Sequence, residues 1–325
     1  MLTRRTLLFA ALALAPSGAF AATFELEPGI TVLEPLSHGT LSVYPLVQTA
    51  RAVVPSDKYL SLKQGVSKGV VTVSEMPNGG DVNRLQVKNT SAQPLLLLSG
   101  EIVLGGKQDR VTSTDTVVEA NSTRVVAVFC VEHGRWNGQA AFGGTGGFAE
   151  GKLRRLARYE KDQSGVWNHV AKKTAALKAS SSTGTYRTVA TGKQGEEAMK
   201  PYRVSIGAQM NAHPQAKSMV GLMIAVNGNI LSIDVFDDPG MFSEYRAQLL
   251  DAAYLDASAL ELKPAPKPIA QAVKEMVSEN EAAPPVRATQ SATSQTETKD
   301  SINAIGTGVT AGKRKLYRSY QNKHY

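Results

Sequence analysis

Apolar runs short enough to be strands alternate with polar turns along most of the chain, and helical spacing is confined to a few stretches. Residues 94–99 (PLLLLS) are the most continuous aliphatic run, which predicts a strand covered on both faces in the middle of a sheet. Over residues 123–132, alternation puts Val126, Val128, Cys130 and Glu132 on one face and Val125, Ala127, Phe129 and Val131 on the other. Residues 39–49 predict a further strand through Leu41, Val43 and Leu46. Residues 70–75 and 82–88 flank Pro77-Asn78-Gly79-Gly80, whose glycines supply the positive φ of a tight reversal, so a hairpin is expected. Asn121-Ser122 predicts another reversal, between Val117-Val118 and residues 124–131. Residues 219–226 and 229–236 are separated by Asn227-Gly228, the strongest short-range hairpin signal.

Helical spacing is read over residues 59–66, ending near Gly69, over 151–161, and over 166–177. The last of these puts Val166, Val170 and Leu177, with Trp167 and Ala171 beside them, on one stripe, and Trp167 is expected in the core. Asp238 and Pro239 suit the N-cap and first position of a helix carrying Phe242, Tyr245, Leu249, Ala252 and Ala253, which should close over the preceding hairpin. After the stiff 264–268 segment (PAPKP), residues 269–277 predict a last helix, while 278–299 are polar enough to stay disordered. Tyr317 and Tyr320 are expected in a docked edge strand. Residues 141–148 (AFGGTGGF) lack the Gly-Lys-Ser/Thr ending of a phosphate-cradling loop and are read as a flexible connection or mobile lid. Residues 180–192, rich in Ser, Thr and Gly, are read as a loop.

These elements predict an α+β fold, an antiparallel-rich β-sheet core covered by helices in a single main domain at residues 22–262. A helix and disordered linker at 263–300 and a basic segment at 301–325 would follow it. Ahead of the domain, Arg4-Arg5 precede an apolar run from Leu7 to Ala15, and small residues at Ala19 and Ala21 suit cleavage. Residues 1–21 therefore read as an export signal of the twin-arginine type, which makes the mature chain periplasmic or secreted. Pro16-Ser17-Gly18 interrupt the run before it could span a bilayer, and no later segment is apolar enough for a transmembrane helix.

The formal charge of +8 falls to +6 when Arg4 and Arg5 leave with the signal, and Lys313, Arg314, Lys315, Arg318 and Lys323 account for five of those six. The body is almost neutral, which argues against a nucleic-acid-binding face. Cys130 is the single cysteine, so stability comes from a core and not from an intramolecular disulfide.

Unlike polar groups crowd the ends of the two central strands. Glu101, Lys107, Gln108, Asp109 and Arg110 follow the aliphatic run, and Cys130, Glu132, His133, Arg135 and Trp136 end the next long strand. Gly100-Glu101, the 106–110 segment (GKQDR) and the 130–136 segment (CVEHGRW) resemble the ARG-and-rhodanese-phosphatase-superfamily-associated protein domain, a poorly characterised bacterial family. Asp162-Gln163 with Val166-Trp167, residues 220–236 and residues 249–257 are similar to it too. Asp109 stands where that pattern has Asn, and His133 where Gln or Arg is commoner. The resemblance implies a domain type and no settled activity.

Three chemistries are open to these residues. Cys130 with His133 or His169 as base could act as a nucleophile, but a valine-flanked single thiol is more often buried and inert. The five histidines have no metal-ligand spacing, and Glu101, Glu132, Asp234 and Asp237, which could supply oxygen ligands, more often make ion pairs, so no metal is expected; no cofactor is expected either. Lys107, Arg110 and Arg135 can pair with carboxylate or phosphate, Gln108 can donate and accept, and Trp136 offers a stacking face. Glu101 and Glu132 could instead neutralise these cations in a network that locks loops to the sheet. The expected ligand-binding set is Glu101, Lys107, Gln108, Arg110, Arg135 and Trp136, with Lys107, Gln108, Arg110, Glu132, Arg135 and Trp136 converging in space. The expected function is a non-enzymatic module for a small polar or anionic ligand, an envelope saccharide or peptide among the candidates. The alternative is a hydrolase using Cys130 or Glu132.

Overall fold

The 219–236 hairpin is the centre on which the rest is laid. In the computed structural model, which describes residues 22–49 and 59–325, Met219–Val226 and Asn229–Phe236 pair antiparallel across Asn227 (φ 52°) and Gly228 (φ 79°). Leu41–Gln48 pairs with the first arm and Arg314–Asn322 with the second. Strands Ala22–Glu27, Ile30–Leu33 and Leu36–His38 complete the N-terminal side, and Ala304–Ala311, Gln295–Asp300 and Pro285–Gln290 the other, so this sheet has ten strands. Every residue of Met219–Val226 is buried because both faces of the sheet are covered.

Asp238 caps the helix Pro239–Ala259 by accepting hydrogen bonds from the Gly240 and Met241 amides at 2.8 and 3.1 Å. Its buried stripe of Phe242, Tyr245, Leu249, Ala252 and Ala253 closes one face of the hairpin, as its spacing predicts. The helix Ile269–Ala282 covers the other face with Val273 and Met276.

A second sheet runs in the order Phe142–Phe148, Glu101–Gly105, Arg110–Thr112, Ser122–Cys130, Arg84–Asn89, Val71–Glu75. The aliphatic run supplies Leu95–Leu97, the middle strand of a three-stranded sheet between Thr116–Val118 and Leu60–Ser61. Leu95, Leu97 and Val118 of this small sheet share one core with Val73, Leu85, Val103, Val126 and Val128 of the six-stranded sheet. The Tyr245 hydroxyl donates to the Leu96 carbonyl at 2.8 Å and joins this half of the molecule to the long helix. All strand pairs are antiparallel except Leu60–Ser61 with Leu95–Leu97, and the architecture is α+β.

Several expectations are corrected. The glycine-rich 141–148 stretch is no lid: Phe142–Phe148 pairs with Glu101–Gly105, and Gly146 lies where a Cβ would come within 2.8 Å of Ile102. Residues 278–299 are not disordered, since the last helix runs to Ala282 and two polar strands follow it. The strand holding Tyr317 and Tyr320 is interior and not an edge, lying between Asn229–Phe236 and Ala304–Ala311. Within it Arg314 pairs with Asp237 and Arg318 with Glu27, and Lys323 just beyond its end pairs with Asp300. Asn121 does take a positive φ of 50°, but Thr116–Val118 pairs with Leu95–Leu97, so the turn passes the chain between sheets. The helix expected at 59–66 begins only at Leu62, behind the Ser61 capping box. Trp167 is partly buried and Ala171 exposed, so the Gln163–Ala176 helix buries a narrower stripe than expected. Residues 193–218, unassigned from sequence, contain the helix Lys193–Tyr202, which continues into shorter turns. The expected export signal at 1–21 lies outside the described residues.

Candidate functional site

The hairpin that joins Glu101–Gly105 to Arg110–Thr112 sets up the site. Gly105 and Gly106 turn it with φ of 120° and 54°, and the register places Arg110 opposite Cys130. Val131 donates to the Asp109 carbonyl at 3.0 Å, so the segment leaving Cys130 runs beside the 106–109 loop. Two sequence segments about 20 residues apart thereby become neighbours through the pairing of Arg110–Thr112 with Ser122–Cys130.

Buried carboxylates organise what lies between them. Glu132 accepts from the Asp109 amide at 3.0 Å, from Arg135 Nε and Nη2 at 3.0 and 2.6 Å, and from the Thr183 hydroxyl at 2.6 Å. Burial pushes its carboxyl up, but Arg135 and these donors outweigh burial and hold it below the usual range. Asp109 accepts from Gly105 N at 2.8 Å, from the Thr185 hydroxyl at 2.7 Å and from both sides of the Arg187 guanidinium at 2.7 and 3.2 Å. Arg135 uses all five N–H groups: beyond Glu132 they reach the carbonyls of Gly105, Gly106 and Asn137 at 3.2, 2.7 and 2.9 Å. The Gln108 amide donates to the Glu132 carbonyl at 2.7 Å. Much of the expected set is therefore a clamp made by the protein on itself.

Arg110 differs from the rest. It is fully buried, its Nη1 donates to the Gln108 carbonyl at 2.8 Å, and its Nη2 lies 3.6 Å from Glu75. Among the described residues its Nε and Nη2 have no hydrogen-bond partner, nor has Glu75 Oε2. Such buried, unused donors are rare in folded proteins and call for a physical reason. The exposed Trp136 ring lies across them, its centroid 5.5 Å from the Arg110 guanidinium carbon and 5.0 Å from Lys107 Nζ. Lys107 also donates to the Gly79 carbonyl.

Five of the six residues expected to line a ligand site thus gather here with Glu132, and Glu101 does not. Glu101 sits at the far end of its strand, where it accepts from Leu98 N at 2.7 Å and burial pushes its carboxyl up to about 8. His133 is exposed and stands edge-on to Trp167, with ring centroids 4.4 Å apart. Gln163 pairs with both backbone groups of Cys130 at 2.9 and 2.8 Å. Sequence reasoning missed Glu75, Thr183, Thr185 and Arg187. Only Arg187 left a signal, as the single charge in the Ser/Thr/Gly-rich 180–192 stretch, which also folds into the short helix Arg187–Ala190.

Cys130 is 1% exposed, and its thiol contacts the Val82 carbonyl at 3.6 Å. Burial pushes the thiol up to about 11, with Arg110 acting weakly against it. A thiol reagent should therefore label the native protein far more slowly than the denatured one. Rapid stoichiometric labelling of the native state would contradict that placement. No group of three or more His, Cys, Asp or Glu side chains is placed to hold a metal ion among the described residues.

Residues 29–320 match the ARG and Rhodanese-Phosphatase-superfamily-associated Protein domain, ARPP-1. The chain belongs to that family. Its match takes in the six-stranded sheet, the whole clamp and all of the ten-stranded sheet except the strand Ala22–Glu27 and the last residues of Arg314–Asn322, so ARPP-1 describes the fold as one unit here. No curated protein and no solved structure matches the chain. No helix of the described residues is long and apolar enough to cross a membrane.

Proposed function

We propose that this ARPP-1 protein is an exported, non-enzymatic module that binds a small polar ligand through an anionic group, with Arg110 as the receptor and Trp136 as its cover. The observation that carries this reading is the buried Arg110 guanidinium, whose Nε and Nη2 make no hydrogen bond among the described residues, Nη2 being only loosely paired with Glu75 at 3.6 Å, beneath an exposed indole. A carboxylate or phosphate oxygen would satisfy them with charge-assisted hydrogen bonds. Rotation of Trp136 admits it, Lys107 adds charge at the rim, and the indole face then packs on an apolar or sugar surface. Glu132 and Arg135 act on the ligand only by fixing the loops. The hydrolase alternative has little to support it: the hydrogen bond of the Cys130 thiol goes to the Val82 carbonyl, and Glu132 is engaged as an acceptor by Asp109, Arg135 and Thr183.

Small carboxylates of the bacterial envelope, such as N-acetylmuramic acid and D-alanyl-D-alanine, are suitable first probes in a thermal-shift series at fixed ionic strength. A ligand that prefers the native state raises the apparent melting temperature. The double variant Glu75→Gln/Arg110→Gln keeps the buried charges balanced and should abolish the rise. A rise that survives in the double variant would remove Arg110 from the reading.

A further inference from the structure

Away from Arg110, a cleft of about 380 Å³ opens between the first helical segment after Glu150, the Gln163–Ala176 helix and the end of the Pro239–Ala259 helix. Lys152, His169, Lys172, Lys173, Asp256 and Tyr325 line it. None of these belongs to the Arg110 site, so the cleft is a separate site.

The inner wall is built around two buried carboxylates whose titration is pushed in opposite directions. Glu150 is fully buried and is gripped by the His169 ring and the Tyr186 hydroxyl. Burial pushes Glu150 up, but His169 and Lys173 outweigh it and bring it down to about 2, so it stays ionised. Asp256 accepts from Gly151 N at 2.9 Å, and burial, with Glu150 adding to it against Lys173, pushes it up to about 6. Lys173 is committed to the Leu255 carbonyl at 2.7 Å. His169, oriented by Glu150, keeps part of its ring open to the cleft. The Tyr325 ring lies on Arg155 at 5.2 Å, and its buried hydroxyl has no hydrogen-bond partner among the described residues.

The mouth is cationic. Lys152 is flanked by Arg155 and Lys172, with Glu160 as their shared carboxylate at 3.7 Å from Lys152 and 3.2 Å from Arg155. Crowding of like charges beside unused buried donors is relieved when an anion enters, because each cation gains a partner.

We infer that this cleft binds a compact dianion, a phosphate monoester or dicarboxylate, with Lys152 and Lys172 drawing it in, the Tyr325 hydroxyl donating to it, and His169 donating through Nδ1 as an imidazolium whose Nε2 stays on Glu150. Asp256 is the opposing group: wherever it is ionised, it repels the bound anion. Sulfate is the probe of choice because its charge does not change with pH, with chloride at matched ionic strength as the control. The chain has five histidines, so the His169 imidazole resonance can be assigned by Nuclear Magnetic Resonance (NMR) with a His169→Gln comparison.

Sulfate should shift the His169 resonance saturably while chloride does not. Lys152→Gln/Lys172→Gln, two changes at solvent-accessible positions, should weaken sulfate binding by roughly tenfold. Asp256→Asn keeps an acceptor for the Gly151 amide while removing the charge, and should tighten sulfate binding near neutral pH. Equal responses to sulfate and chloride, full affinity in the double-lysine variant, or weaker binding in Asp256→Asn would each overturn the inference. Phosphate monoester and dicarboxylate are then separated by repeating the titration with glycerol phosphate and succinate.

Discussion

Asp234→Ala should destabilise the protein by about 3–5 kcal/mol, the usual cost of leaving a buried charge without its partner. Asp234 is 2% exposed and receives Arg154 through two hydrogen bonds of 2.9 and 3.2 Å, together with the Tyr317 hydroxyl. Arg154 reaches Ser319 at 3.2 Å as well, and its guanidinium lies 4.7 Å from the centre of the Phe148 ring. One ion pair therefore ties the hairpin, the strand Arg314–Asn322 and the end of the glycine-rich strand together. Burial pushes Asp234 up, but Arg154 and its hydrogen bonds outweigh it and hold the carboxyl below its ordinary value. The stability this carries is present above the unfolded carboxylate range and is lost as pH falls through the lower, folded value. Denaturant unfolding at neutral pH measures the loss; a change below about 1 kcal/mol would mean that the site relaxes or hydrates when Asp234 is removed.

Arg135→Ala has the second largest expected effect, about 2–3 kcal/mol, because three loop carbonyls and Glu132 lose a charged donor at once. The 105–109 loop and Trp136 should loosen together, seen as faster proteolysis of that loop and a red shift of indole emission. Arg135→Lys should restore less than half of the stability, since a single ammonium cannot reproduce a planar fork aimed at four acceptors. Full rescue by lysine would reduce Arg135 to a simple counter-charge for Glu132.

Which parts of this molecule could be read in advance depends on where its information is stored. The Asn227-Gly228 hairpin and the Asp238-Pro239 helix start are local devices, in which a few adjacent residues dictate backbone shape, and both lie where the sequence puts them. The long helix was legible because its apolar stripe faces a core. Pro285–Gln290 was not, since all six of its residues are exposed and its ladder with Gln295–Asp300 is made of backbone hydrogen bonds that any side chain permits. The 142–148 strand hid for a related reason: glycines give no alternation, yet the missing Cβ lets the chain lie close against Ile102 and Leu104.

At the candidate site the same division holds. The 106–110 and 130–136 segments were visible as dense polar motifs at strand ends, and strand register brings them together. Their partners from elsewhere in the chain were not visible. Glu75 is on the far strand of the sheet, and Thr183, Thr185 and Arg187 lie over 40 residues beyond Trp136, so only the tertiary fold pairs them. Glu101 misled because adjacency in sequence is not adjacency along a strand, and it ends up under Tyr245 and Leu98 instead of beside Lys107.

The central claim is that buried Arg110 receives an anion beneath Trp136. The chain has two tryptophans, an exposed Trp136 and a partly buried Trp167, so fluorotryptophan labelling gives one fluorine resonance for the site and one for reference. Titration with the envelope carboxylates that raise the melting temperature should shift the Trp136 resonance saturably, move Trp167 far less, and do neither in Glu75→Gln/Arg110→Gln. If stabilising carboxylates leave the Trp136 resonance in place, or move it equally in that double variant, Arg110 is a structural ion pair and not a receptor.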